Sequence, residues 1–103
     1  MNSTAHFKEE KKLKYEWDEY KSLVNKQKHK VSFEEAATVF DYPLSVTFDD
    51  PDHSMMEKRE LTIGYSIKNR LLIVSSTIRK NSIRIISVRL ATKQERKEYE
   101  EGI

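Results

Sequence analysis

Hydrophobic positions follow two regimes along the chain. Up to residue 40 they recur at three- and four-residue spacing, and beyond residue 44 they tend to alternate with polar ones. This predicts helices first and strands after. The segment Glu19–His29 lacks Gly and Pro, and Tyr20, Leu23, Val24 and Gln27 share one face of it. Asp18 stands where its carboxylate can cap the N-terminus. Ser32 followed three residues later by Glu35 is a capping-box pattern. It opens a short second helix over residues 33–40, with Phe33, Ala36, Ala37 and Phe40 turned inward. Tyr42-Pro43 ends that helix, because the residue before a proline is pushed out of the α region.

The remainder reads as β. Residues 44–48 alternate weakly, the run from Asp49 to Asp52 is a turn cluster, and residues 53–58 form a polar loop. Residues 59–67 place Leu61, Ile63, Tyr65 and Ile67 on one face. Lys68-Asn69 links them to a strand over residues 71–79, and Lys80-Asn81-Ser82 links that to a last strand over residues 83–90. Thr92 and Glu95 make a second capping box for a C-terminal helix. The expected fold is α+β: an antiparallel meander of about four strands, two N-terminal helices and one C-terminal helix. The residues around Tyr15 could add a short strand. Residues 14–103 form one domain, and the polar, Lys/Glu-rich residues 1–13 are read as a flexible extension.

Composition narrows the chemistry. There is no cysteine, which excludes a disulfide framework, a thiolate nucleophile and a Cys-type zinc site. Two glycines cannot build a phosphate loop. No apolar run is long enough for a membrane span, and the N-terminus lacks a signal peptide's apolar core, so a cytoplasmic protein is expected. The net charge is only +2, but no carboxylate occurs between Glu60 and Glu95, a stretch holding Lys68, Arg70, Arg79, Lys80, Arg84, Arg89 and Lys93. Such a run favours a polyanion, or an acidic partner protein.

The last hairpin carries the candidate chemistry. A three-residue loop sets Ile73 opposite Arg89, Ser75 opposite Ser87 and Arg79 opposite Ile83. Leu72, Val74, Ser76, Ile78, Ile86, Val88 and Leu90 then pack on the helices. The other face shows Ser75, Thr77, Arg79, Ser87 and Arg89, a floor whose guanidinium forks match phosphate oxygens. A two-residue loop would shift the register and mate Arg79 with Arg84. The same face equally suits simple solubility. No pair of His6, His29 and His53 has metal-ligand spacing, and no metal or cofactor is expected. A neutral imidazole at His29 can accept a proton, although a histidine at a helix end is also an ordinary surface residue. With no Ser-His-Asp order, no paired catalytic carboxylates and no Walker motif, Arg, Lys, His and hydroxyls remain. That set suits RNA cleavage by the substrate's own 2′-hydroxyl.

Tyr15-Glu16-Trp17-Asp18-Glu19, Lys28-His29, Val31-Ser32-Phe33-Glu34-Glu35-Ala36, Asp52-His53-Ser54, Leu61-Thr62-Ile63-Gly64-Tyr65-Ser66, Ile83-Arg84-Ile85-Ile86-Ser87, Arg89 and Glu95-Arg96 together resemble BrnT toxins. The resemblance covers about residues 14–101. It implies a RelE-like fold and the toxin of a type II toxin–antitoxin system, an endoribonuclease that needs no metal and inhibits translation by cutting RNA. It implies a BrnA-like ribbon–helix–helix antitoxin, a toxin–antitoxin hetero-oligomer, and contact with operator DNA only through that antitoxin. In this frame Arg79 and Arg89 stabilise the phosphorane, and His29, or alternatively His53, moves protons. Lys21, Lys28, Arg59, Arg84 and Tyr99 contact RNA. The chain departs from the family pattern at Lys30 and in the last hairpin, where glycine is common, and at Ile78, where glutamate is common. The loss of that glutamate motivates a second reading, a binding module that acts with its antitoxin in operon repression.

Overall fold

A computed structural model describes residues 14–52 and 57–102. The extension over residues 1–13 and the candidate His53 lie outside the described residues. The elements are β1 (Lys14–Glu16), α1 (Glu19–His29), α2 (Phe33–Thr38), a 3-10 turn (Val39–Asp41), β2 (Val46–Asp49), β3 (Glu60–Tyr65), β4 (Leu71–Arg79), β5 (Ser82–Leu90) and α3 (Lys93–Gly102). The sheet order is β1-β5-β4-β3-β2. The expected four-strand meander is present as β2 to β5, but the sheet has five strands and is mixed. Residues 14–16 form a fifth strand, and β1 runs parallel to β5. The second helix stops at Thr38 and tightens into the 3-10 turn, with Tyr42 N–H donating to the Val39 carbonyl at 3.1 Å.

The two faces of the sheet bury different clusters. Val31, Phe33, Ala36 and Val39 pack on Leu72, Val74, Ile85 and Val88. On the opposite face Tyr99 of α3 packs with Ile63, Leu71 and Ile73. Successive residues of β4 point to opposite faces, so that strand feeds both cores. Gly64 belongs on the α2 side, where a Cβ would meet Ser45 Cβ at 2.8 Å and Val39 Cγ1 at 3.1 Å.

The last hairpin corrects the expected register. From Leu72 to Ser75 the pairing is the one a three-residue loop predicts, with Ile73 opposite Arg89 and Ser75 opposite Ser87. The next pair is Ser76 with Ile85, so Ile86 is an extra residue on β5, a β-bulge. Beyond it the loop is two residues long, yet Arg79 faces Ser82, and Thr77 rather than Arg79 faces Arg84. The bulge also exchanges Ile85 for Ile86 in the helix-facing core.

The larger departure concerns α1. Its apolar stripe, the face an amphipathic helix usually buries, faces out: Tyr20 is 74%, Leu23 62% and Val24 42% exposed. The inward arc is polar, with Asn25 buried and Ser22 and His29 half-buried. Asn25 explains the reversal. β1 covers β5 only from Ser82 to Arg84, which leaves the backbone edge farther along β5 open. The Asn25 amide donates to the Val88 carbonyl at 2.9 Å and to the Val31 carbonyl at 3.2 Å, and its oxygen accepts from the Val88 N–H at 3.1 Å. One side chain thus does for this edge what a further strand would do.

The expected caps are present. Lys21 N–H donates to Asp18 Oδ1 at 3.0 Å, and Glu35 N–H to Ser32 Oγ at 3.0 Å. Thr92 and Glu95 exchange both bonds of a capping box. Helix α1 ends on Lys30 in the left-handed region, with φ 61°. A non-glycine residue there is strained. Lys30→Gly is expected to raise stability by about 0.5–1 kcal/mol, the relieved strain exceeding the entropy that glycine loses on folding. Urea unfolding of the two proteins checks this.

Candidate active site

The open edge of β5 brings the C-terminal end of α1 against the sheet. There His29 meets side chains of the second face. His29, Ser75, Ser87, Arg89, Leu61 and Ile73 line a small cavity of about 90 Å³. Next to it Lys21, Lys28, His29, Ile86 and Ser87 line a shallow groove of about 280 Å³ along α1. A third space, about 410 Å³, opens between α3 and the sheet. Its floor is Phe48, Leu61, Ile63 and Ile73, and Arg89 and Glu95 stand at its side. Arg89 and Ser87 are therefore shared walls of adjoining spaces, and four predicted residues (Lys21, Lys28, His29 and Arg89) surround one region.

Arg89 is held in a defined orientation. Its Nη1 and Nη2 donate to the two carboxylate oxygens of Glu95 at 2.8 and 2.9 Å, and Nη1 also donates to the Leu90 carbonyl at 3.3 Å. Glu95 in turn accepts from Thr92 N–H at 2.9 Å, so the start of α3 fixes the carboxylate that fixes the arginine. The Arg89 guanidinium, helped by the Thr92 N–H, holds the Glu95 carboxyl down to about 2. The pair therefore stays charged at any neutral or mildly acidic pH. Sequence reasoning assigned Glu95 only to the cap. The missed signal was the capping-box geometry, which turns that carboxylate back toward the end of β5.

Of the other predicted residues, Arg79, Arg84 and Arg59 lie elsewhere, and Tyr99 lines the third space together with Arg89. Arg79 sits at the far end of β4, and its Nε donates to Glu57 at 2.9 Å. Six residues of strand, about 20 Å at the usual rise, separate it from the Ile73–Arg89 pair. Arg84 donates to Glu16 of β1 at 3.1 Å, and Ser82 joins the same carboxylate, holding it below its ordinary range. Arg59 stands half-buried just before β3, and its carbonyl accepts from Asp50 N–H at 2.9 Å. Tyr99 is buried, its hydroxyl donating to the Leu44 carbonyl at 2.6 Å, which ties α3 to the loop before β2.

This pairing changes the electrostatic picture. Four arginines of the acid-free stretch, Arg70, Arg79, Arg84 and Arg89, each meet a glutamate from outside it: Glu35, Glu57, Glu16 and Glu95. Among the described residues no ion pair involves Lys21, Lys26 or Lys28 of α1. The uncompensated positive charge at the site therefore comes from the helix. Also among the described residues, no three His, Asp or Glu side chains converge to hold a metal ion, and no helix is long and apolar enough to cross a membrane.

A family model described as the ribonuclease toxin BrnT of type II toxin–antitoxin systems matches residues 17–95. Among solved structures, the crystal structure of the Brucella abortus ribonuclease toxin BrnT is similar to this chain. Its TM-score is 0.60 and its sequence identity 25%, over 80% of this chain and 100% of that one. No curated protein sequence matches.

Proposed function

The chain belongs to the BrnT family of type II toxin–antitoxin systems, and from that premise we propose that it is a metal-independent endoribonuclease that inhibits translation until an antitoxin of ribbon–helix–helix type neutralises it. The observation that carries the reading is the convergence of His29, Ser75, Ser87 and Arg89 on one small cavity beside the α1 lysines Lys21 and Lys28, which make no ion pair among the described residues. Lys21 and Lys28 hold the RNA backbone. The substrate's 2′-hydroxyl attacks its own phosphorus, and the bond to the 5′ oxygen breaks. His29 takes the 2′ proton and returns one to the departing 5′ oxygen. Two of Arg89's five N–H groups bond Glu95 and one bonds Leu90, which leaves two for the phosphorane oxygens. The hydroxyls of Ser75 and Ser87 add donors to the same wall. The apolar floor under Phe48 and Leu61 offers a surface to an unstacked base. Arg59, Arg79 and Arg84, away from the cavity, serve the RNA backbone.

Expression of the chain alone in a bacterial host, followed by mapping of RNA 5′ ends, tests this. Growth arrest with new discrete ends is expected. Soluble protein that leaves RNA intact, yet sharpens operator binding by its antitoxin, would replace the ribonuclease by the binding module. With about three phosphate contacts to single-stranded RNA, binding should weaken roughly tenfold or more between 50 and 200 mM salt. A flat response would remove the α1 lysines from the interface.

A further inference from the structure

Helix α1 is turned inside out. Helices of small domains bury their apolar stripe, yet here Tyr20, Leu23 and Val24 face solvent while Ser22, Asn25 and His29 face the sheet. The stripe continues onto the half-buried bulge residue Ile86, which lines one groove with Tyr20 and Val24. An exposed apolar stripe of this kind marks a protein partner's seat. Its borders say which kind. Lys21 and Lys28 run along one side and Lys26 along the other, and Glu19 is the helix's one acid. Leu23 and Val24 give nothing to a phosphate, so the stripe is not built for RNA even though its lysine border suits it. The complementary surface is a segment with apolar residues along its centre and carboxylates on its flanks. Tyr20 and Val24 of that seat line the same groove as Lys21, Lys28, His29 and Ser87. An occupant of the stripe therefore lies across the entrance to the candidate site.

We propose that the outward apolar stripe of α1 is the seat of an acidic amphipathic segment of the antitoxin, which neutralises the toxin by covering Lys21, Lys28 and His29. The inference rests on the ribonuclease reading above and specifies how that activity is switched off. The carboxylates of the segment compete with RNA for the α1 lysines, and its apolar residues supply the affinity that RNA lacks on this surface. Inhibition then needs no change of shape in the toxin.

The test co-expresses this chain with a tagged antitoxin encoded beside its gene, and compares it with Leu23→Asp and Leu23→Glu. Leu23 is highly exposed and lines none of the spaces of the candidate site, so matched circular dichroism and melting temperatures are expected. Expressed alone, both variants should arrest growth as the unaltered chain does. With the antitoxin present, both should still arrest growth, and capture on the tag should fall at least tenfold. Full capture and full neutralisation of both variants would overturn the proposal, as would no capture of the unaltered chain. Variants that lose growth arrest and RNA binding but are still captured would give the stripe to RNA. An isolated chain that sediments as a dimer, split by Leu23→Asp, would give it to a second copy. If the unaltered chain fails to arrest growth, the ribonuclease reading falls, and the capture assay still decides where the antitoxin sits.

Discussion

Arg70→Met is expected to destabilise the fold by about 3 kcal/mol at neutral pH, the lower end for breaking a buried ion pair. Against a total of about 5–15 kcal/mol for a domain of this size, that is a large share. Glu35 sits on α2 with its side chain only 2% exposed. Its carboxylate is forked by the Arg70 guanidinium and accepts from Ser66 Oγ at 2.6 Å. Arg70 also donates to the Lys30 carbonyl at 3.2 Å, so the pair ties α2, the end of α1 and the β3–β4 turn together. Arg70 is a third open to water, which keeps the loss at the low end. In the native protein the Arg70 guanidinium keeps the Glu35 carboxyl below its ordinary 4.5, overcoming the opposing effect of burial. A lowered folded value contributes stability above the ordinary carboxylate range and loses it as pH falls. Without Arg70, burial dominates and the direction reverses: the carboxyl must take up a proton to stay folded. The penalty of Arg70→Met should therefore be largest near pH 7 and shrink toward pH 4. Urea unfolding at both pH values measures this, and an equal penalty at both would show that Glu35 is not the group left stranded. Glu35→Gln combined with Arg70→Met should recover part of the loss, because a neutral amide still accepts from Ser66.

What the sequence made legible was local. Caps at Asp18, Ser32 and Thr92 are decided by residues three apart, and all three stand where the pattern puts them. The strands β3 to β5 follow from alternation and turn residues. Non-local choices were hidden. An apolar stripe on α1 reads as buried because most stripes are, and nothing local reveals that β5 leaves a backbone edge for Asn25 to fill. The bulge at Ile86 decides whether Ile85 or Ile86 joins the core. Likewise the acid-free stretch is visible in the sequence, but the four glutamates that come back to pair its arginines are not. Of the site, Lys21, Lys28 and His29 are neighbours on one helix. Their meeting with Arg89, sixty residues away, depends wholly on how α1 is hung from Val88.

Arg89→Ala is expected to cost about 10²–10³ in cleavage rate, the usual loss when one preorganised donor to a developing oxyanion is removed. The fixed geometry makes so large an effect expected. Glu95 holds the guanidinium before substrate arrives, so little reorganisation remains for the reaction itself. Arg89→Lys keeps the charge but cannot both grip Glu95 bidentately and fork the phosphorane, so it should fall near the alanine variant rather than near the native protein. His29→Ala should lose a similar or larger factor, within the 10²–10⁴ typical of a lost general base or acid. Because both act on one transition state, the double variant should lose much less than the product of the single losses. Single-turnover cleavage of a short RNA by the four proteins measures the cycle. Lys21→Ala with Lys28→Ala should instead weaken binding and flatten its salt dependence, with cleavage at saturating enzyme little changed. Full additivity of Arg89 and His29 would mean that they do not share a site, and an unchanged rate in Arg89→Ala would move the phosphate to the distant arginines Arg79 and Arg84.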